Sequence, residues 1–120
     1  AKKAVQIPVI ANGGVFSNAD AERLINQTGA DGVMVARASL FNPQIFCELT
    51  GKEGESKLEM FRKQLKWTGQ VCDERFTTVF MRKMAAFYVK GERGASVYKE
   101  KLFSAQSVEA LREIVRAIWG

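Results

Sequence analysis

Two short apolar runs, Ile7-Pro8-Val9-Ile10-Ala11 and Gly32-Val33-Met34-Val35-Ala36, set the tightest limit on what this chain can fold into. Each is apolar at successive positions, so as a strand it presents apolar side chains on both faces and needs cover on both. The segment between them carries a helix signature. Ser17 is placed to cap its start, with Asp20 three residues on as an approximate capping box. Ala21, Leu24, Ile25 and Thr28 follow at helical spacing, and Gly29 is placed to end the helix. Strand, helix, strand, with both strands apolar throughout, predicts parallel pairing through a right-handed crossover. The first strand ends in Asn12-Gly13-Gly14, a loop whose backbone can adopt positive φ. The second exits through Arg37-Ala38-Ser39, and Asn42-Pro43 is expected to open another helix with proline in its first turn.

After a glycine-containing hinge at 51–56 the pattern becomes wholly helical. Leu58, Phe61, Leu65 and Thr68 make one stripe, and Phe76, Val79, Phe80, Met84, Phe87 and Tyr88 make a longer one. Gly91 and Gly94 bracket a turn. Val97, Tyr98 and Leu102 mark a third helix, and Ser107 caps a last one with Leu111, Ile114, Val115 and Ile118 facing inward. The fold class expected is α/β for residues 1–50, followed by an all-α bundle over 51–120.

Charge separates the two parts further. The net charge of the 120 residues is +5. Between Arg62 and Lys101 stand ten basic residues and four acidic ones, a net of +6, which leaves −1 for the rest. Such a concentration suits a polyanionic partner, although a solvated helical surface would give the same count. Some side chains offer more specific contacts. Tyr88, Tyr98 and Trp67 can stack on bases, though each sits at a spacing that equally suits a core position.

The missing residue types exclude whole reaction classes. There is no histidine, and the two cysteines, Cys47 and Cys72, lack metal-ligand spacing. No zinc site and no histidine-based triad is therefore expected, and both thiols read as structural. No apolar stretch approaches the roughly 18 residues of a membrane span, and the opening residues do not read as a signal peptide, so a cytoplasmic protein without a membrane partner is expected.

Loops that leave the C-terminal ends of parallel strands and enter helices suit anion binding, because backbone N–H groups and the positive helix end converge there. In (β/α)8 barrels the loops after the seventh and eighth strands commonly share one phosphate. Gly13 and Gly14 would let the backbone approach closely, and Arg37 would add charge. The bland alternative is an ordinary turn, with Arg37 as a surface ion-pair partner.

At these residues a family resemblance appears. "IPVIANGG" and "TGADGVMVARASLFNPQIF" look like the last two βα units of the tRNA-dihydrouridine synthases, which are flavin-dependent (β/α)8 TIM barrels. "MRKMAAFYVKGERGAS" at 81–96 resembles a stretch of that family's C-terminal helical domain. The resemblance covers nearly the whole chain, in the family's order. It implies a C-terminal fragment of the barrel over 1–50 and a helical tRNA-binding domain over 51–120. It further implies that Asn12, Gly13, Gly14, Ala36 and Arg37 surround the phosphate of FMN. Arg82, Lys83, Lys90 and Arg93 would meet tRNA, the competing account for Arg82 being that it caps or bridges neighbouring helices. The full reaction reduces uridine in tRNA through FMN, with NADPH or NADH as reductant. The family's acid, a cysteine on an earlier barrel loop, has no counterpart here, so no catalytic residue is expected in this chain and the fragment alone is expected to be inactive. Two positions depart from the family pattern: Gly14 stands where an aspartate is usual, and Ala36 where a glycine is usual.

Two other readings fit parts of the sequence. One is a fragment of another FMN-dependent barrel oxidoreductase, of the dihydroorotate dehydrogenase type, whose late loops are similar. The other is a non-catalytic RNA-binding module. Strands lacking neighbours also predict self-association through exposed edges.

Overall fold

A computed structural model describes residues 2–120, which form two compact units, the first ending at Gly54 and the second running from Glu55 to Gly120. The molecule is mostly helical, with one two-stranded parallel sheet. No helix among the described residues is long and apolar enough to cross a membrane.

In the first unit, β1 (Ile10–Asn12) pairs in parallel with β2 (Gly32–Met34), in the register Ile10 with Gly32, Ala11 with Val33 and Asn12 with Met34. Both strands are shorter than their apolar runs. Pro8 lacks an N–H, and the Val9 N–H donates to the Asp31 carboxylate at 2.8 Å instead of to a ladder partner. The Lys2 ammonium donates to the same carboxylate at 2.5 Å. These two contacts, with the lysine the larger, hold the Asp31 pKa below the ordinary aspartate range. The strands are also open, contrary to the cover expected: Ile10 is 62% exposed and Met34 53%.

The connecting helix α1 (Asn18–Thr28) follows the sequence closely. The Ser17 hydroxyl accepts from the Asp20 N–H at 3.2 Å, and Gly29 closes the helix in the left-handed region at φ 65°. The next segment does not. The exit loop expected at Arg37-Ala38-Ser39 runs instead into a one-turn helix, α2 (Ala38–Phe41), and Pro43 lies between it and α3 (Ile45–Thr50) instead of within a first turn. The residue before a proline is pushed out of helical geometry. Asn42 shows this at φ −138°, ψ 85°, and its side chain then accepts from the Gln44 N–H.

The second unit packs α4 (Lys57–Val71), α5 (Glu74–Tyr88), α6 (Ala95–Ser104) and α7 (Val108–Trp119) around one core. Ser56, Asp73 and Ser107 cap α4, α5 and α7, each accepting from the N–H three residues on. Phe61, Leu65, Met81, Tyr88, Leu102, Leu111 and Val115 are buried at the centre. Phe61 meets Tyr88 edge-on at 5.5 Å between centroids, and Trp119 lies 6.1 Å from Phe61 and 5.9 Å from Tyr88.

Tyr88 and Met84 of the stripe predicted for α5 do pack into the core, but the first half of the helix turns a different face inward. Thr77, Thr78, Met81, Ala85 and Tyr88 are buried, while Phe76, Val79 and Phe80 are exposed. Buried threonines are tolerated here because each hydroxyl donates to a carbonyl four residues back, Thr77 to Asp73 and Thr78 to Glu74, both at 2.8 Å. On α6 only Leu102 is buried, and Val97 faces outward.

Phe61 has no exposed surface and touches two other rings. Phe61→Ala is expected to cost about 3–5 kcal/mol, a large share of the stability of a small domain. Equilibrium urea unfolding followed by helical circular dichroism should show a lower midpoint with an unchanged slope; an unshifted midpoint would mean that the core lies elsewhere.

Candidate functional site

Parallel pairing sends both strands out at the same end of the sheet, so the loops after β1 and β2 lie side by side. They enclose a cleft of about 260 Å³ lined by Asn12, Gly13, Gly14, Val15, Phe16, Met34, Ala36, Arg37 and Ala38. All five residues that the sequence singles out in these loops therefore meet in one concavity. Gly13 and Gly14 adopt φ 153° and 64°, values that L side chains rarely take. Beyond each lies open space, since a Cβ there would find no atom within 4 Å.

The rim is built locally. The Phe16 N–H donates to the Asp20 carboxylate at 3.0 Å, and the Ser17 hydroxyl accepts from the Asp20 N–H. Together these pin the loop after Gly14 to the first turn of α1. The contacts lower the pKa of Asp20, the Phe16 N–H foremost, with Ser17 and the Arg23 guanidinium adding to the effect against some desolvation. On the other side, the Ser39 hydroxyl and N–H both donate to the Ala36 carbonyl, at 2.7 and 3.2 Å, and the Leu40 N–H donates to the Arg37 carbonyl. Arg37 is exposed and its side chain makes no hydrogen bond or ion pair among the described residues, which leaves an unspent guanidinium at the cleft. The bland alternative of a surface ion pair for Arg37 is not seen.

The donor set suits a phosphate: glycine backbone that a ligand can approach, an asparagine amide and a free guanidinium. The volume lies below the ~300–1,000 Å³ of a complete ligand pocket, so the cleft suits one end of a cofactor. The methyl group of Ala36 leaves the cleft open. Among the described residues no three histidine, cysteine, aspartate or glutamate side chains group as a metal site.

In the second unit the four basic residues singled out from sequence divide. Lys83, Lys90 and Arg93 are exposed. Arg82 is half-buried and holds helix ends: its Nη1 donates to the carbonyls of Phe103 and Ala105, both at 3.2 Å, at the C-terminal end of α6. Its Nε is buried without a partner. Of the aromatics considered for stacking, Tyr88 is buried and its hydroxyl donates to Gln64 at 3.0 Å, with burial raising its pKa. Trp67 is 61% exposed. Sequence reasoning missed Phe76 and Phe80, whose exposed rings stack on each other at 5.7 Å. Their helical spacing alone reads as core.

Comparison with known proteins gives the chain a family. The family model described as dihydrouridine synthase (Dus) matches residues 1–118. A probable tRNA-dihydrouridine synthase of Synechocystis is 34% identical over 95% of this chain and 35% of its own length. One from Helicobacter pylori is 31% identical over 99% of this chain and 37% of its own. One from Aquifex aeolicus is 50% identical over 43% of this chain and 16% of its own. The chain thus spans about a third of the length of the relatives it matches end to end.

Two measurements check the local chemistry. The Asp20 carboxylate has a lowered pKa in the folded protein, so its contacts stabilise the loop above the ordinary aspartate range and lose that effect as pH falls through the lowered value. Carbon-13 titration of the Asp20 carboxyl should give a midpoint below that of an unstructured aspartate, and Asp20→Asn should remove this part of the acid dependence. For Arg82, replacement by alanine leaves two helix-end carbonyls without their donor and should cost about 1–3 kcal/mol in thermal or urea unfolding. Arg82→Lys, which lacks the planar fork, should recover only part of that loss.

Proposed function

Because the chain belongs to the dihydrouridine synthase family, we propose that it is the C-terminal portion of a flavin-dependent enzyme that reduces uridine to dihydrouridine in tRNA. Residues 1–50 are then the last two βα units of a (β/α)8 barrel, and residues 51–120 are a helical domain that meets tRNA. The observation that carries this reading is the convergence of two strand-end loops on one cleft with Arg37 unpaired beside it. A family match that runs through the helical unit to residue 118 also weighs against a dihydroorotate dehydrogenase type, whose members are not expected to append such a domain.

In this reading FMN, reduced by NADPH or NADH, supplies hydride for the C5–C6 bond of uridine. The residues of this chain bind and orient. The backbone of Gly13 and Gly14, which carry no Cβ, would let the phosphate approach, the Asn12 amide would donate from the end of β1, and Arg37 would offset the charge from the second loop. Ala36 supports the second loop through its carbonyl, which the Ser39 hydroxyl holds. No residue here is assigned a proton-transfer role. Binding of the flavin ring and the chemical step belong to parts of the enzyme outside this chain. The exposed cations Lys83, Lys90 and Arg93 supply sequence-independent attraction for the RNA backbone, with Arg82 organising the helices behind them.

Titrating the labelled 120-residue chain with FMN and with inorganic phosphate tests the site. At millimolar concentration both ligands should shift the amide signals of Gly13, Gly14 and Arg37, whereas riboflavin, which lacks the phosphate, should not. Arg37→Ala should weaken both responses by roughly ten- to a hundredfold, as expected for losing a charge-assisted contact of about 1.5–3 kcal/mol. Equal responses to riboflavin and FMN would rule out the phosphate assignment.

A further inference from the structure

On α5, Phe76 and Phe80 stack on each other with ring centroids 5.7 Å apart and planes 12° from parallel. Neither faces the core: Phe76 is 52% exposed and Phe80 36%, and Val79 beside them is 52% exposed. Helix geometry puts Phe76, Phe80 and Lys83 along one row, and Arg75, Val79 and Arg82 along the next. The second row lines a groove of about 450 Å³ together with Glu74, Thr78, Ala105 and Gln106. The outer surface of α5 therefore carries a two-ring aromatic plate, with Arg75 toward its N-terminal end and Lys83 toward its C-terminal end. It lies within the segment that concentrates the chain's positive charge.

Each ring face left open by a parallel pair can accept another flat π-system, and nucleobases stack on aromatic side chains whatever their identity. The cations fit the phosphates that accompany a base, and charge complementarity favours RNA over an apolar protein helix as occupant. A base can reach such a plate only where it is unpaired, because bases within a duplex are covered by their neighbours.

We propose that the Phe76–Phe80 plate, with Arg75 and Lys83 at its ends, is a stacking site for an unpaired nucleotide of RNA. The proposal rests on the reading above that the helical unit meets tRNA, and it adds a mode of contact that backbone attraction alone does not provide. It assigns binding to a pair of rings that neither the charge pattern nor the strand-end cleft singles out.

The test measures binding of the whole chain to a tRNA transcript, to a single-stranded oligouridine of about 12 nucleotides and to a blunt RNA duplex of similar length, each over a range of salt. Phe76→Ala and Phe80→Ala should weaken tRNA and oligouridine binding by about fivefold or more, leave duplex binding unchanged and leave the salt slope unchanged. Phe80→Tyr should retain affinity and Phe80→Leu should lose it, which separates ring stacking from apolar packing. Arg75→Ala should instead lower the salt slope by roughly one unit. Val71→Ala, which removes an exposed apolar side chain without a ring from α4, serves as the control and should change nothing. Salt-dependent binding that ignores both phenylalanines would overturn the stacking site while leaving the tRNA reading intact. Absence of all RNA binding at low salt would overturn both. Wild-type self-association abolished by Phe80→Ala, with RNA affinity unchanged, would make this face a protein interface and also overturn the proposal.

Discussion

Parallel pairing of β1 with β2 is the constraint from which the candidate site follows. Two parallel strands need a crossover between them, so both must leave the sheet at the same end. The register that sets Asn12 beside Met34 makes both loops begin at one level, and both residues line the cleft. Glycine at 13 and 14 then lets the first loop turn with positive φ, while the Ser17–Asp20 contacts anchor its far side. An antiparallel pair would place these two loops at opposite ends of the sheet, and no shared cleft would form.

The second unit depends on a different junction. Glu92, in the turn between α5 and α6, accepts from the Lys57 ammonium at 2.7 Å and from the Trp119 indole N–H at 3.1 and 3.2 Å. Lys57 also donates to the Tyr88 carbonyl at 2.8 Å. One carboxylate thereby joins the start of α4, the turn after α5 and the end of α7 above the Phe61, Tyr88 and Trp119 rings. Because Lys57 and Glu92 each keep roughly 30% of their side-chain exposure, water screens the pair. Its main effect is to orient the helix ends, and ring burial supplies most of the stability. With the core held in this way, the remaining face of α5 is free to carry Lys83 and the phenylalanine plate outward.

Much of this was legible in the sequence because the signals were local. Ser17 and Ser107 accept from backbone N–H groups within their own first turns, so each cap can be read without knowing the fold. Gly29, Gly91 and Gly94 adopt positive φ at the breaks their positions suggest. The family resemblance was legible for a related reason, since its motifs are contiguous strings and the family match extends over nearly the whole chain. The failures were contextual. Hydrophobic spacing assigned Phe76, Val79 and Phe80 to the core, but α5 rotates so that Thr77 and Thr78, with hydroxyls satisfied inside their own helix, take the buried positions. For Arg82 the sequence left RNA contact and the bridging of neighbouring helices both open, and the choice rests on carbonyl partners at the end of α6 that lie more than twenty residues away.

By itself the sequence determined both ends of α1 and the start of α7, the strand–loop–helix order, the positions where the backbone must accept glycine and the family. Each of these depends on residues within a few positions of one another or on an unbroken motif. Only the tertiary structure decided which face of α5 is buried, that Arg82 serves helix ends, that Arg37 stands unpaired at a cleft shared with Gly13 and Gly14, and that two phenylalanines form an exposed plate. Those outcomes follow from competition among distant groups for the same space and hydrogen bonds, and the linear order of residues does not record which group prevails.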